Sequence, residues 1–247
     1  MNALEIILLI LCVGFAGLFV FVRVKWGGLK GLITKTVASF AFVTSAILGL
    51  VVSDATELSR WAVGLIAVGL LCGMVGDIIL DLKVIYPDND NYYLNTGMGS
   101  FFLGHIFYII AFSLLVGANV ENYSSNIQMF GCTVPLLITF GVSTVLTLMI
   151  TLSSKMMGLK FGKFLWQTVG YTFILCCSMV YTLVLAIMGG GVTLWVAFVG
   201  MVLFFLSDVV LSFQYFGGKL EDKKLIAINH GLYYAAQIVL VAVLFII

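Results

Sequence analysis

Apolar residues run along this chain in eight long stretches, roughly 3–22, 31–52, 62–82, 98–117, 130–151, 165–188, 192–214 and 228–247, with short polar connections between them. A helix needs about 20 predominantly apolar residues to cross the hydrocarbon core, and each stretch is of that order. None alternates with period two, so the runs predict helices rather than the strands of a barrel. The expected fold is all-α: a polytopic membrane helix bundle of eight transmembrane helices, with residues 1–247 forming one integral membrane domain. The first stretch lacks the positive flank and small-residue cleavage site of a signal peptide and reads as a span. Gly189, Gly190 and Gly191 predict a tight turn between spans six and seven. Residues 83–96, with Pro87 and a cluster of Asp, Asn and Tyr, predict a loop. Gly69, Gly73 and Gly76 give span three a smooth ridge on which another helix can pack closely.

Composition and charge narrow the class further. Hydrophobic residues make up 62% and charged residues 9% of the chain, and the mean hydropathy is +1.20. A soluble domain carries roughly 25% charged residues, so this chain cannot cover a water-facing surface and a soluble enzyme is excluded. Disorder is excluded by the same numbers. A net charge of +1 leaves no basic reservoir for nucleic acid. Eleven of the twelve Lys and Arg residues lie at the odd-numbered connections, counting Lys35 just inside span two, and only Arg60 sits in an even one. By the positive-inside rule the odd connections are cytoplasmic and both termini are non-cytoplasmic. Trp26, Trp61, Tyr92, Trp166, Trp195 and Tyr215 sit near span ends, as an interfacial aromatic belt requires. The expected location is the cell membrane if the source is bacterial and the endoplasmic reticulum if it is eukaryotic. Asn122-Tyr123-Ser124 is a glycosylation sequon in a predicted outer loop, without meaning in a bacterial source. The five cysteines all lie inside spans and form no Cys-x-x-Cys pair, so they read as small apolar fillers rather than disulfides or metal ligands.

A faint internal repeat is visible. Span three carries Gly76-Asp77-Ile78-Ile79-Leu80 and span seven carries Ser207-Asp208-Val209-Val210-Leu211. The spans that follow carry His105-x-x-Tyr108 and His230-x-x-Tyr233. Spans two and six share a Thr-Val-small step at Thr36 and Thr168. A parallel four-plus-four duplication would turn Asp77 and Asp208 toward each other across a central cavity.

Ionisable groups at membrane depth cost about 2.5–3.5 kcal/mol each on insertion scales and face the protein interior. Here they are Lys35, Asp77, Asp81, His105 and Asp208, joined by Asn229 and His230 at the start of span eight. All fall in the half of the bundle that the lysines mark as cytoplasmic. Seven polar side chains at one level, from five helices, predict one pocket opening toward that side. Several have plainer uses. Asp81, one turn from Asp77, could reach water or Lys83; Lys35 could snorkel to the headgroups. Asn229 and His230 could cap span eight, and His105 could be a helix–helix hydrogen-bond donor.

The motifs Gly76-Asp77-x-x-Leu80, Gly97-x-x-x-Phe101-x-x-Gly104-His105-x-x-Tyr108, Ser207-Asp208-x-x-Leu211 and Tyr234-x-x-Gln237 resemble those of the YhhN-like family, the lysoplasmalogenases. The resemblance runs from Thr34-Lys35 to Gln237; one departure is Thr36, where the family often has proline. It implies eight spans, no cofactor, and hydrolysis of the vinyl ether bond of an alkenyl lysophospholipid to a fatty aldehyde and a glycerophospho-base. The implied partners are that lysophospholipid and membrane lipids; the oligomeric state is not legible.

The residues suit that reaction. A vinyl ether is cleaved by protonating the alkene carbon beta to oxygen, which leaves an oxocarbenium ion that water captures. The enzyme needs a proton donor and an anion close together, a division of labour that glycosidases also use. Asp77 and Asp208 are the expected catalytic pair. His105, Tyr108 and Gln237 are candidates to hold water or the ether oxygen, and Lys35 and His230 to bind phosphate, with Asp81, Asn229 and Tyr234 lining the site. Two rival readings are a proton-coupled transporter, which also uses membrane carboxylates, and a metal-dependent membrane lipid hydrolase with Asp77, His105, Asp208 and His230 as ligands. No ligand spacing typical of zinc hydrolases is present, so no metal is expected.

Overall fold

The computed structural model describes residues 2–52, 57–86, 89–118 and 125–247. The sequon at 122–124 and Pro87 lie outside these residues. The elements are α1 (Ala3–Lys25), α2 (Gly28–Val52), α3 (Glu57–Ile85), α4 (Asp90–Ala118), a short α5 (Ser125–Phe130), α6 (Thr133–Ser154), a 3-10 turn (Gly162–Phe164), α7 (Leu165–Gly189), α8 (Val192–Phe216) and α9 (Lys223–Leu244). Among the described residues eight of these helices are long and apolar enough to cross a membrane. Spans one to four are therefore α1–α4, and spans five to eight are α6–α9. The protein is an all-helical, multi-pass membrane protein.

Local chemistry sets the helix ends. Asn2 and Glu5 form a capping box at the start of α1: the Asn2 side chain accepts from the Glu5 amide at 3.0 Å, and the Glu5 carboxylate accepts from the Asn2 amide. Asp222 caps α9, accepting from the amides of Lys224 and Leu225. That cap starts α9 five residues before the apolar run begins. The loop predicted over 83–96 is mostly helix, since α3 runs to Ile85 and α4 starts at Asp90. An apolar run marks only the part of a helix that needs hydrocarbon; a polar turn continues the same helix beyond it. The turn between α7 and α8 is as tight as expected, with Gly190 and Gly191 at φ +76° and +84°, a region that favours glycine.

The helices close into a ring. α1 packs on α2, α2 on α3, α3 on α4, α4 on α7, α7 on α8, α8 on α9, and α9 returns to α1 while also touching α2 and α3. α6 lies outside, on α7. It turns Leu137, Phe140, Leu148 and Leu152 outward and buries the small Thr139, Ser143 and Thr147. Lipid supplies no hydrophobic drive between helices, so small residues and close shape hold such contacts together. The glycine ridge of α3 shows this directly. A Cβ on Gly69 would stand 2.5 Å from the Tyr108 ring, and one on Gly76 2.7 Å from Phe101. Gly104 of α4 returns the fit, its missing Cβ lying 3.1 Å from the Gly69 carbonyl oxygen. All five cysteines are free, as expected.

Gly69→Ala should therefore destabilise the bundle by about 1–3 kcal/mol, because the fully buried Tyr108 ring has little room to retreat. Gly64→Ala, whose Cβ would meet nothing within 4 Å, should be neutral or mildly stabilising. Thermal unfolding of the two variants in detergent checks the contrast.

Candidate active site

Asp77 and Asp81 stand one turn apart on α3, so both carboxylates face the ring interior. Asp77 is buried. Its Oδ2 accepts from Ser39 Oγ at 2.7 Å and from Tyr233 Oη at 2.9 Å. Its Oδ1 lies 3.2 Å from Lys35 Nζ. The same ammonium donates to Asp81 Oδ1 at 3.3 Å. Arg23 takes Asp81 in a two-pronged pair, Nη1 to Oδ2 at 3.0 Å and Nη2 to Oδ1 at 3.2 Å. Tyr234 completes the frame: its hydroxyl lies 2.8 Å from Ser39 Oγ and donates to the Lys35 carbonyl at 3.1 Å. Two cations and two carboxylates thus join α1, α2 and α3, with α9 adding its two tyrosines.

This geometry changes three expectations. Lys35 does not snorkel; it is 4% exposed and bridges two carboxylates. Asp81 reaches neither water nor Lys83 but is buried against Arg23 and Lys35. Arg23, counted from sequence as one of the loop charges that set topology, turns inward from the last turn of α1. In each case a buried partner of opposite charge outweighs the short route to water.

Asp208 approaches from α8. Asp77 and Asp208 each stand eight residues before the last residue of their helix, about 12 Å of rise. Tyr171 Oη donates to Asp208 Oδ2. Among the described residues Asp208 enters no ion pair. It lines, with Asp77, a polar cavity of about 50 Å³ whose walls include Lys35, Asp81, Asn229, His230 and Gln214. The two aspartates therefore share one chamber, and so do four of the five other polar residues expected there. Asp208 also borders a second, apolar cavity of about 80 Å³.

His105 is the exception. It does not line the polar cavity. Its Nδ1 lies 2.9 Å from Ser178 Oγ, and its ring packs edge-on against Phe204 at 4.7 Å. Tyr108 lies against Gly69, and the Gln237 amide is the nearest group to Gly73. His105 Nε2, Tyr108 Oη and both Gln237 amide atoms are buried without a hydrogen-bond partner among the described residues. The predicted single pocket thus resolves into a chamber holding the charges and a separate set of neutral polar groups. Among the described residues no three His, Cys, Asp or Glu side chains are grouped to hold a metal ion.

Ser39, Tyr233, Tyr171, Gln214 and Arg23 escaped the sequence reading as site residues. Ser39 had a usable signal, lying one turn after Lys35 on the same helix face. Tyr233 was visible in the His230-x-x-Tyr233 half of the repeat. Tyr171 had none, being one aromatic residue in an apolar span.

A model of the YhhN family matches residues 32–244 of this chain. No curated protein and no solved structure matches it.

Removing the shared cation should be far costlier than removing the outer one. Lys35→Met leaves two buried carboxylates short of their common partner and should lower stability by about 3–5 kcal/mol. Arg23→Gln should cost less, since the Arg23 side chain is 15% exposed and Asp81 keeps Lys35. Chemical denaturation of the purified variants measures both.

Proposed function

The chain belongs to the YhhN family, and we propose that it is a membrane hydrolase of the lysoplasmalogenase type, cleaving the vinyl ether of a 1-alkenyl lysophospholipid. The observation that carries this reading is the unequal setting of two aspartates in one chamber. Asp77 is surrounded by an ammonium and two hydroxyl donors, the kind of contacts that favour a carboxylate over a neutral acid. Asp208 borders the apolar cavity, enters no ion pair among the described residues, and accepts from Tyr171. We assign Asp208 as the proton donor and Asp77 as the anion beside the developing positive charge.

The steps balance. Asp208 gives its proton to the alkene carbon beta to the ether oxygen, and the alkene π electron pair forms the new C–H bond. The resulting oxocarbenium ion lies within the field of the Asp77 carboxylate. Water adds to the cationic carbon and passes a proton to Asp77. The hemiacetal then collapses to the aldehyde, and the glycerol oxygen leaves as its alcohol. Asp77 passes its proton to the departing glycerol oxygen and the hemiacetal hydroxyl gives its proton to Asp208, so both aspartates end as they began. No oxidant or metal enters any step.

Lys35 has a different role here from phosphate binding. Its ammonium is already shared by Asp77 and Asp81, so it fixes the position of the Asp77 carboxylate. Asn229, His230 and Gln214 line the polar cavity, and in this reading they meet the glycerol and headgroup side of the substrate. Tyr171 is a positioning residue, holding the Asp208 carboxyl through one oxygen.

Asp77→Asn and Asp208→Asn should each lower aldehyde release from an alkenyl lysolipid by about 10²–10⁴-fold, the range that a positioned acid or base supplies. The asparagine variants keep side-chain shape, so folding in detergent should survive. Acyl and alkyl lysolipids serve as controls. Activity retained in either variant would remove that residue from the chemistry. In heavy water the aldehyde should carry deuterium on the carbon next to the carbonyl, as mass spectrometry of the freshly trapped product would show.

A further inference from the structure

Two cavities meet at Asp208. The polar one and the apolar one share Leu80, Phe101, Asp208, Leu211 and Tyr215 as walls. The apolar one is enclosed by α3, α4, α7 and α8, with Ile150 of α6 on its flank. Its lining extends along α8 from Phe205 to Phe216, about 16 Å of helix rise, and along α7 from Thr168 to Leu175, about 10 Å. It is long in the direction of the helix axes, which is the direction of a lipid chain in a bilayer. Other apolar hollows exist, between α1 and α9 near Gly17 and Ile238, and around Trp195. Neither is lined by an aspartate.

We infer that the apolar cavity beside Asp208 is the seat of the substrate's single hydrocarbon chain. This rests on the hydrolase reading above. The occupant follows from continuity. The scissile bond joins a polar glycerol to an apolar chain, so a bound substrate must pass from a polar space to an apolar one at the reacting atoms. Asp208 stands on that boundary, and the carbon it would protonate is the second of the chain. A chain laid along α7 and α8 puts that carbon beside Asp208, and the ether carbon and glycerol on the Asp77 side. The walls give hydrocarbon contact and few polar groups, so selection comes from length and width rather than from hydrogen bonds. The chain arrives from the bilayer already out of water, so selection is by steric fit rather than by transfer energy, and a blocked cavity excludes the longest chains most.

Two variants of opposite sense test it, both away from the acid and the anion. Thr172→Phe fills the cavity midway along α7, and Leu175→Ala deepens it. Two measurements are made on each: kcat/KM across alkenyl lysolipids of increasing chain length, and binding of the matching saturated alkyl lysolipids, which cannot be cleaved this way, by ligand-induced thermal shift. Thr172→Phe should lose long-chain substrates by tenfold or more while short chains stay within about twofold, and Leu175→Ala should move the optimum to longer chains. The alkyl series should follow the same two shifts. A length profile unmoved in both variants, or an equal loss at every length, overturns the assignment. If no aldehyde forms even with the unmodified protein, the hydrolase reading falls. The alkyl-binding series then still decides the cavity alone: a chain-length shift upholds it, and an unmoved profile overturns it. Should Thr172→Phe fail to fold, Met98→Trp on α4, which lines the same cavity, carries the same expected outcomes.

Discussion

The Lys35 ammonium between Asp77 and Asp81 is the contact on which the rest of this structure depends. A charge inside a bundle of apolar helices is tolerated only when its partners stand within hydrogen-bonding distance. Lys35 meets that condition twice, at 3.2 and 3.3 Å, and Arg23 supplies the second cation that Asp81 needs for balance. The pairings tie α1 and α2 to α3, and the Tyr233 and Tyr234 hydroxyls bring in α9. Four helices are thus registered against one another by charge and hydrogen bonding rather than by apolar area, which in a membrane discriminates poorly between arrangements. In the proposed function the same cluster holds the catalytic anion still, which reduces the reorganisation required when positive charge develops in front of it.

Glycine does the complementary work one and two turns earlier on α3, where Gly73 and Gly69 continue the stripe of Asp77 and Asp81. Asp77 and Asp81 point to the charged side, while Gly69, Gly73 and Gly76 let Tyr108, Gln237, Tyr233 and Phe101 approach the helix backbone. Phe101 and Tyr233 then stack edge-on, their rings 5.9 Å apart, and Phe204 joins them from α8. That aromatic group links the helix carrying Asp77 to the helix carrying Asp208. The distance between the two aspartates is therefore set by packing, and each one's charge environment is set separately by its own polar partners.

Much of this was legible along the chain. Eight apolar runs gave the eight spanning helices, and the rarity of charge inside them pointed to Asp77, Asp81, Asp208 and Lys35. Insertion cost is a one-dimensional quantity, so a sequence displays it. Pairing is not. That Arg23 turns inward to Asp81 while Lys83, two residues after Asp81, does not depends on how α1 crosses α3, and no spacing within either helix records that crossing. Tyr171 was hidden for the same reason, since its meaning comes from α8. His105 shows the converse error: equal depth was taken for a shared pocket, although depth leaves open the direction around the helix axis. The extra polar turns of α4 and α9 were missed because hydropathy marks where lipid is, not where a helix ends.

A hydrolase acting on a lipid must bring water and hydrocarbon to the same bond without letting either flood the other's space. The two adjoining cavities offer a physical answer. Polar groups gather on the α1–α2–α3–α9 side of the chamber, where Asn229, His230 and the ion cluster can hold water and headgroup oxygens. Apolar walls gather between α4, α7 and α8, where the chain would lie. Asp208 belongs to both linings. A carboxyl placed there sees fewer polar neighbours than Asp77 does, and in the proposed function this difference in surroundings is what separates a donor from an anion although the two side chains are chemically identical. Under the proposed function, the division of labour between the aspartates follows from the division of the site into a polar half and an apolar half, the division an amphiphilic substrate itself requires.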